Sequence, residues 1–138
     1  MRKAVCNTYK KWMVSMEFDV ISQGVDSEQA LIYMWEIYDN NDVLVGRYVG
    51  KAKNGARRPL KHYKRNVERL LKGRPYRKSN PDGYRVVHKV LAEAVDKEQI
   101  IKLYFLTNID DGDDINQVEQ AMISKYDCKG SKSWQLNG

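Results

Sequence analysis

Residues 30–62 read ALIYMWEIYDNNDVLVGRYVGKAKNGARRPLKH, and their pattern decides the fold. Ala30 to Tyr38 is rich in β-branched and aromatic residues, the composition of a strand. Leu31, Tyr33, Trp35 and Ile37 fall on one face; Ile32, Met34, Glu36 and Tyr38 fall on the other. Both faces are largely apolar, so this strand is expected at the centre of a sheet. Asp39-Asn40-Asn41-Asp42 is a turn sequence, and Val43 to Gly50 is the return strand of an antiparallel hairpin. Lys51 to Gly55 reads as a loop. A helix is expected from about Ala56 to Lys72, with Pro59 tolerated in its first turn and Gly73 ending it.

Outward from the hairpin, the helix carries Leu60, Tyr63, Val67, Leu70 and Leu71 as its core stripe. At 100° per residue, Arg58, His62, Arg65 and Arg69 lie on the opposite face. Gly73 to Gly83, GRPYRKSNPDG, is a basic loop dense in turn formers. Tyr84 to Val95 reads as a second helix with Val87, Val90, Leu91 and Ala94 inward, and His88 as a surface or nucleic-acid-contact residue. Ile100 to Thr107 is a strand, and Asn108 to Asp114 is an acidic turn whose aspartates complement the next helix N-terminus. That turn lacks the spacing and the closing glutamate of a calcium loop. The last helix runs from Ile115 to about Tyr126, and Trp134 and Leu136 are expected to fold back as anchors. Before the hairpin, Val5, Tyr9, Trp12, Met13 and Met16 fall at helical spacing, whereas Val14, Met16, Phe18 and Val20 alternate as in a strand. The expectation is a short helix passing into a strand near Val14. The class is α+β: a small, mainly antiparallel sheet flanked by helices. Residues 1–29 form an N-terminal extension packed on a domain of residues 30–138.

The chain has 138 residues, one domain's worth, with 30% charged and 42% hydrophobic residues. No apolar run approaches the roughly 18 to 20 residues that span a bilayer. The start MRKAVCNTYKKW lacks the apolar block of a signal peptide. Cys6 and Cys128 are isolated, so neither a disulfide framework nor a structural zinc site is expected, and a cytoplasmic setting fits best. The formal charge is +6, but residues 47–89 hold 15 Lys and Arg against 2 acids. Such a block inside an otherwise acidic chain suits a surface that meets a polyanion. A solvated lysine-rich face would give the same count. No strongly amphipathic stretch points to a membrane as the polyanion.

The ordered residues resemble the GIY-YIG nuclease family. Leu31-Ile32-Tyr33 stands as the first signature, with leucine where the family usually has glycine, and Tyr48-Val49-Gly50 as the second. Arg58 follows Tyr48 by ten residues, and His62 follows Arg58 by four. Glu119, in VEQAMI, matches the family's glutamate on a later helix; Asn137, in QLNG, matches its closing asparagine. The resemblance covers about residues 30–138, and the two tyrosines stand somewhat farther apart than in many members. It implies the family's α+β fold and Mg²⁺-dependent (or Mn²⁺-dependent) hydrolysis of DNA phosphodiesters; a nuclease acting on RNA is a separate, third reading, and no RNA-binding signature accompanies it. The resemblance also implies catalytic roles for Tyr33, Tyr48, Arg58, His62 and Glu119, with Glu119 as metal ligand and Asn137 structural. In such enzymes the first tyrosine is proposed to activate water and the second to assist, without a covalent intermediate.

The residue types suit that chemistry. A single carboxylate, Glu119, is enough for Mg²⁺, which keeps most of its waters. Arg58 can clamp a phosphate oxygen with its planar fork, near helix N–H groups. His62 can accept or relay a proton near neutral pH. A free phenol has a pKa of about 10, so a tyrosine base needs cations or a relay, for which Lys51 and His62 are candidates. Lys51, Lys53, Arg57, Arg65, Arg69, Arg74, Arg77 and Lys78 are candidate nucleic-acid contacts, and Tyr76 and Tyr84 interleave aromatic faces with them. Taken singly, each of these residues has an ordinary structural use; their order and spacing give the reading its weight. The alternative is a binding or regulatory module that keeps the fold without catalysis, since phosphate contacts alone supply affinity. A compact nuclease of this kind fits a viral or mobile-element setting.

Overall fold

The computed structural model describes residues 15–138. Four strands, β1 (Asp19–Ile21), β2 (Leu31–Tyr38), β3 (Leu44–Ala52) and β4 (Ile100–Asn108), form one sheet in the order β1-β4-β2-β3. β2 pairs antiparallel with β3 and β4, while β1 lies parallel to β4. The fold is α+β, with a mixed sheet flanked by three helices: α1 (Tyr63–Leu71), α2 (Val86–Asp96) and α3 (Ile115–Lys125). No helix among the described residues is long and apolar enough to cross a membrane.

The central position expected for β2 follows from its two apolar faces. Leu31, Tyr33, Trp35 and Ile37 enter the larger core with Val67 of α1 and Val87 and Leu91 of α2. Ile32 and Met34 face a smaller core with Ile123 of α3 and Cys128. Glu36 shares that second face and is only 4% exposed. Arg47 Nε and Nη2 each reach its Oε2 at 2.7 Å, and the Tyr38 hydroxyl donates to its Oε1 at 3.0 Å. A buried carboxylate is tolerated when it is paired and hydrogen-bonded in this way. The hairpin turn is held by Asp39, whose Oδ1 accepts the N–H groups of Asn41 and Val43 at 2.8 and 3.0 Å. Opposite Ile32 and Tyr33, the β2–β4 register slips by one residue, a bulge beside the site described below.

Several elements differ from the sequence expectation. The helix proposed over residues 1–13 lies outside the described residues. The strand expected near Val14 is β1, and it begins only at Asp19. The apolar residues before it pack without pairing: Met16 is fully buried, and Phe18 meets the Trp35 ring edge-on at 5.0 Å. β3 runs to Ala52, so Lys51 lies on a strand instead of in a loop. The first helical turn is a π turn, Arg58–His62, and α1 proper starts at Tyr63. The wider turn adds one residue and rephases the helix. The basic face expected of Arg58, His62, Arg65 and Arg69 is therefore divided. Arg58 and His62 line one cleft, whereas Arg69 lies in a shallow groove with Lys61, Lys64 and Lys72. Gly73 ends α1 as expected, at φ +73°, with the Gly73 and Arg74 N–H groups bonding the Leu70 and Arg69 carbonyls.

α2 starts at Val86, two residues after the expected Tyr84. Arg85 is extended, and its backbone N–H donates to His88 Nδ1 at 3.1 Å. His88 is accordingly not the surface residue expected. It is 2% exposed, and its ring packs beside Tyr63 and Tyr84. At the C-terminal end, Leu136 is buried in the larger core and the Arg47 guanidinium lies 5.4 Å from the centre of the Trp134 ring. Both tail residues anchor to β3, with the Arg47 N–H bonding the Trp134 carbonyl and the Leu136 N–H bonding the Arg47 carbonyl.

Candidate active site

The ends of β2 and β3, the π turn and α3 surround a cleft of about 480 Å³. Tyr33 and Tyr48 are presented by the paired strands, Arg58 and His62 by the two ends of the π turn, and Glu119 by α3. All five residues singled out in the sequence line this one cleft, together with Lys51, Lys53 and Arg57. Of the remaining candidate contacts, Arg65 and Arg77 line a smaller adjoining pocket. Arg69 faces elsewhere and ties α1 to the following loop through the Pro75 carbonyl at 2.9 Å. Arg74 and Lys78 are exposed on that loop and do not line the cleft.

Tyr33 is buried, and its hydroxyl lies 2.8 Å from the Tyr63 hydroxyl. The Arg85 guanidinium donates to Tyr63 at 2.7 Å and to Tyr48 at 2.9 Å. Three phenols and one guanidinium thus form a connected network under the cleft. Arg85 can only donate, so both phenol oxygens it meets must accept. Register explains the tight packing: Tyr33 stands opposite Gly50, and a Cβ on Gly50 would come within 2.4 Å of the Tyr33 hydroxyl oxygen. Only glycine leaves that space.

Burial pushes the Tyr33 phenol above its ordinary range, against the Tyr63 hydrogen bond and the Arg58 charge, which favour ionisation. Tyr63 is pushed up further, first by burial and then by Tyr33 and Tyr48. The groups that ease ionisation of these phenols are Arg58 and Arg85, whereas the sequence pointed to Lys51 and His62. His62 is shifted the other way. Partial burial and the neighbouring Arg65, Arg57 and Arg58 lower its pKa, so its imidazole is neutral at pH 7 with a free lone pair.

Among the described residues, Glu119 is the one carboxylate lining the cleft. Lys51 Nζ stands 3.7 Å from its Oε1 and also bonds Asn116 Oδ1. Among the described residues, no group of three or more His, Cys, Asp and Glu could hold a metal. The described residues thus offer no all-protein cage. They do fit the sparse Mg²⁺ mode of one carboxylate, waters and substrate phosphate. Asn137 stands apart from the cleft chemistry: its Oδ1 accepts the Val49 N–H at 2.9 Å and its Nδ2 donates to the Val49 carbonyl at 2.8 Å. These two bonds fix β3 between Tyr48 and Gly50.

Arg85 and Tyr63 are the site residues that the sequence reading missed. Tyr63 has the spacing of a core residue, and it does pack in the core; its hydroxyl joins the network through Tyr33 on one side and Arg85, just before α2, on the other. Arg85 reads as one more cation in a basic stretch, and only the extended residue before α2 aims it at Tyr48. Comparison with protein-family models, curated proteins and solved structures gives no match.

Proposed function

We propose that this protein is an endonuclease of the GIY-YIG type that hydrolyses DNA phosphodiesters with Mg²⁺ at a single site per chain. The observation that carries the reading is the convergence of Tyr33, Tyr48, Arg58, His62 and Glu119, from four separate elements, on one cleft with a cationic rim. Phosphodiester hydrolysis needs an activated water, stabilisation of added negative charge and help for the leaving oxygen. Arg58 clamps a non-bridging oxygen of the scissile phosphate with its fork. His62, neutral and one turn away, takes the proton of the attacking water or passes it on. Tyr33 holds that water by accepting a hydrogen bond from it, while its own hydroxyl donates to Tyr63, which Arg85 fixes from behind. Tyr48, fixed by Arg85, donates toward the phosphate. Glu119 holds the Mg²⁺, which when bound supplies Lewis-acid stabilisation of the phosphoryl charge.

Incubation of supercoiled plasmid with the protein, in Mg²⁺ or in EDTA, beside Glu119→Ala and Arg58→Ala, tests the reading. Relaxed or linear product that requires the metal and both side chains is the expected result. Cleavage by either variant at the wild-type rate overturns the site assignment.

One observation favours a second reading, a binding module without catalysis. The Lys51 ammonium lies 3.7 Å from Glu119, the carboxylate of the cleft among the described residues, where it competes with a cation. Salt-sensitive retardation of DNA with no cleavage in any divalent metal selects that reading. RNA cleavage in place of DNA cleavage reassigns the substrate and leaves the chemistry unchanged.

A further inference from the structure

A smaller pocket of about 110 Å³ adjoins the cleft, and the chemistry above leaves it unused. Arg58, His62 and Arg85 line both spaces. Arg65 and Asn66 from α1, Arg77 from the loop before α2, and His88 add polar groups to the smaller one, with the Tyr63 and Tyr76 rings completing its wall. Tyr33, Tyr48 and Glu119, which serve the scissile phosphate in the proposal above, line only the larger.

Among the described residues, the lining of this pocket contains no carboxylate. Elsewhere Arg47, Lys51, Lys64 and Lys97 each face an acid. Among the described residues, Arg58, Arg65, Arg77 and Arg85 have no such ion pair. Four guanidiniums gathered without a counter-charge repel one another, and an anion among them relieves that repulsion. The neutral groups also suit an anion. His88 Nδ1 accepts the Arg85 N–H, so the neutral ring carries its proton on Nε2 and is a further donor. The Asn66 amide adds two more. The space is far below the roughly 300 Å³ at which pockets begin to hold drug-sized ligands, so a nucleoside does not fit and a small oxyanion does.

We propose that this pocket is a second phosphate site, taking a phosphate group of the same nucleic-acid strand that places its scissile phosphate in the cleft. Arg58 and Arg85 then span two phosphates, while Arg65 and Arg77 hold the second. The inference deepens the nuclease reading and rests on it for the identity of the strand. The phosphate itself is either an internal phosphodiester or a terminal phosphate; both present the same oxygens to arginine.

Inorganic phosphate is the first probe, followed by nuclear magnetic resonance of the arginine Nε–H and asparagine side-chain groups. The expected result is saturable shifts at Asn66 and Arg77, with affinity lowered about tenfold or more in Arg65→Ala/Arg77→Ala. Both arginines are exposed, so their removal leaves the fold intact. No shift at Asn66, or shifts of the same size in wild type and the double variant, overturns the site. Duplex binding in EDTA is the second probe. If the two arginines share one phosphate, the double variant lowers the slope of log K against log salt by about 0.9; a drop of about 1.8 means two independent backbone contacts and overturns the shared site. Equal affinity for 5′-phosphorylated and 5′-hydroxyl duplexes assigns the pocket to an internal phosphodiester, and a tenfold preference for the phosphorylated duplex assigns it to a strand end. Phosphate binding without cleavage of plasmid or RNA keeps the pocket and removes the nuclease. Cleavage without phosphate binding does the reverse.

Discussion

Arg85 Nη2 donates to the Tyr63 hydroxyl at 2.7 Å, joining the start of α2 to the start of α1 directly beneath the cleft. The same guanidinium holds Tyr48 at 2.9 Å, so one side chain sets the position of two phenols. Arg85→Lys keeps the charge and loses the fork. Cleavage is expected to fall from wild type to Arg85→Lys to Arg85→Ala, by about tenfold or more for alanine, a loss of about 1.4 kcal/mol or more in transition-state stabilisation. Single-turnover kinetics measure this. Ultraviolet titration of the tyrosines separates a direct effect from simple misfolding: with Arg85 gone, phenol ionisation moves to higher pH, because Arg85 is what favours the ionised form of Tyr63.

Gly50→Ala tests the packing of Tyr33. The new methyl would stand 2.4 Å from the hydroxyl oxygen and 2.5 Å from Cζ of a fully buried ring. Something must move, and overpacking of this kind costs about 1–3 kcal/mol. Urea denaturation should show a lower midpoint at an unchanged slope. Adding Tyr33→Phe should recover only part of the loss, since Cζ remains in the way.

Asn137→Ala removes both bonds to Val49 and leaves a part-buried N–H and C=O to find other partners. The expected loss is about 1–3 kcal/mol by chemical denaturation. Asn137→Asp keeps the acceptor but sets a carboxylate against the Val49 carbonyl, and is expected to be no better than alanine.

Acid should destabilise the fold through His88. Its folded pKa is lowered from the ordinary 6.5 to about 4, by burial first and then by Arg85 and Arg58. The neutral form is the one the fold accepts. Between these two values the unfolded chain binds more protons than the folded one, so stability rises with pH across the interval. This contribution is complete above pH 6.5 and is lost as pH falls toward 4. The thermal midpoint should therefore drop across that window. In His88→Asn, whose amide oxygen can replace Nδ1 as acceptor for the Arg85 N–H, the drop should be shallower. Equal pH profiles would remove His88 as the cause.

The hairpin was readable because its signal is local. Alternation along Leu31–Tyr38 specifies a strand with two apolar faces, and such a strand has to be central. The residues from Tyr33 to His62 were singled out by their order and spacing against a family pattern, and those short signatures sit on the hairpin and the turn that follows it. The parallel β1–β4 pair was not readable. Met16 and Phe18 alternate with polar residues, yet their burial comes from packing under the sheet and not from strand pairing. The π turn has no sequence mark beyond Pro59, since one extra residue in a turn changes phase without changing composition. The role of Arg85 depends on a contact 37 residues away in sequence with Tyr48, which no local pattern carries.

The clasp of Asn137 on Val49 has a consequence in time. The two residues are 88 positions apart, so β3 can leave the ribosome and pair with β2 long before its outer edge is covered. In that interval the backbone groups of Arg47 and Val49 stand open to any passing strand. The strand segment that follows Tyr48 gains its outer bonds only when the tail arrives. A nascent chain that pairs its hairpin first completes the cleft later, and the same late step closes the edge through which it could associate with its neighbours.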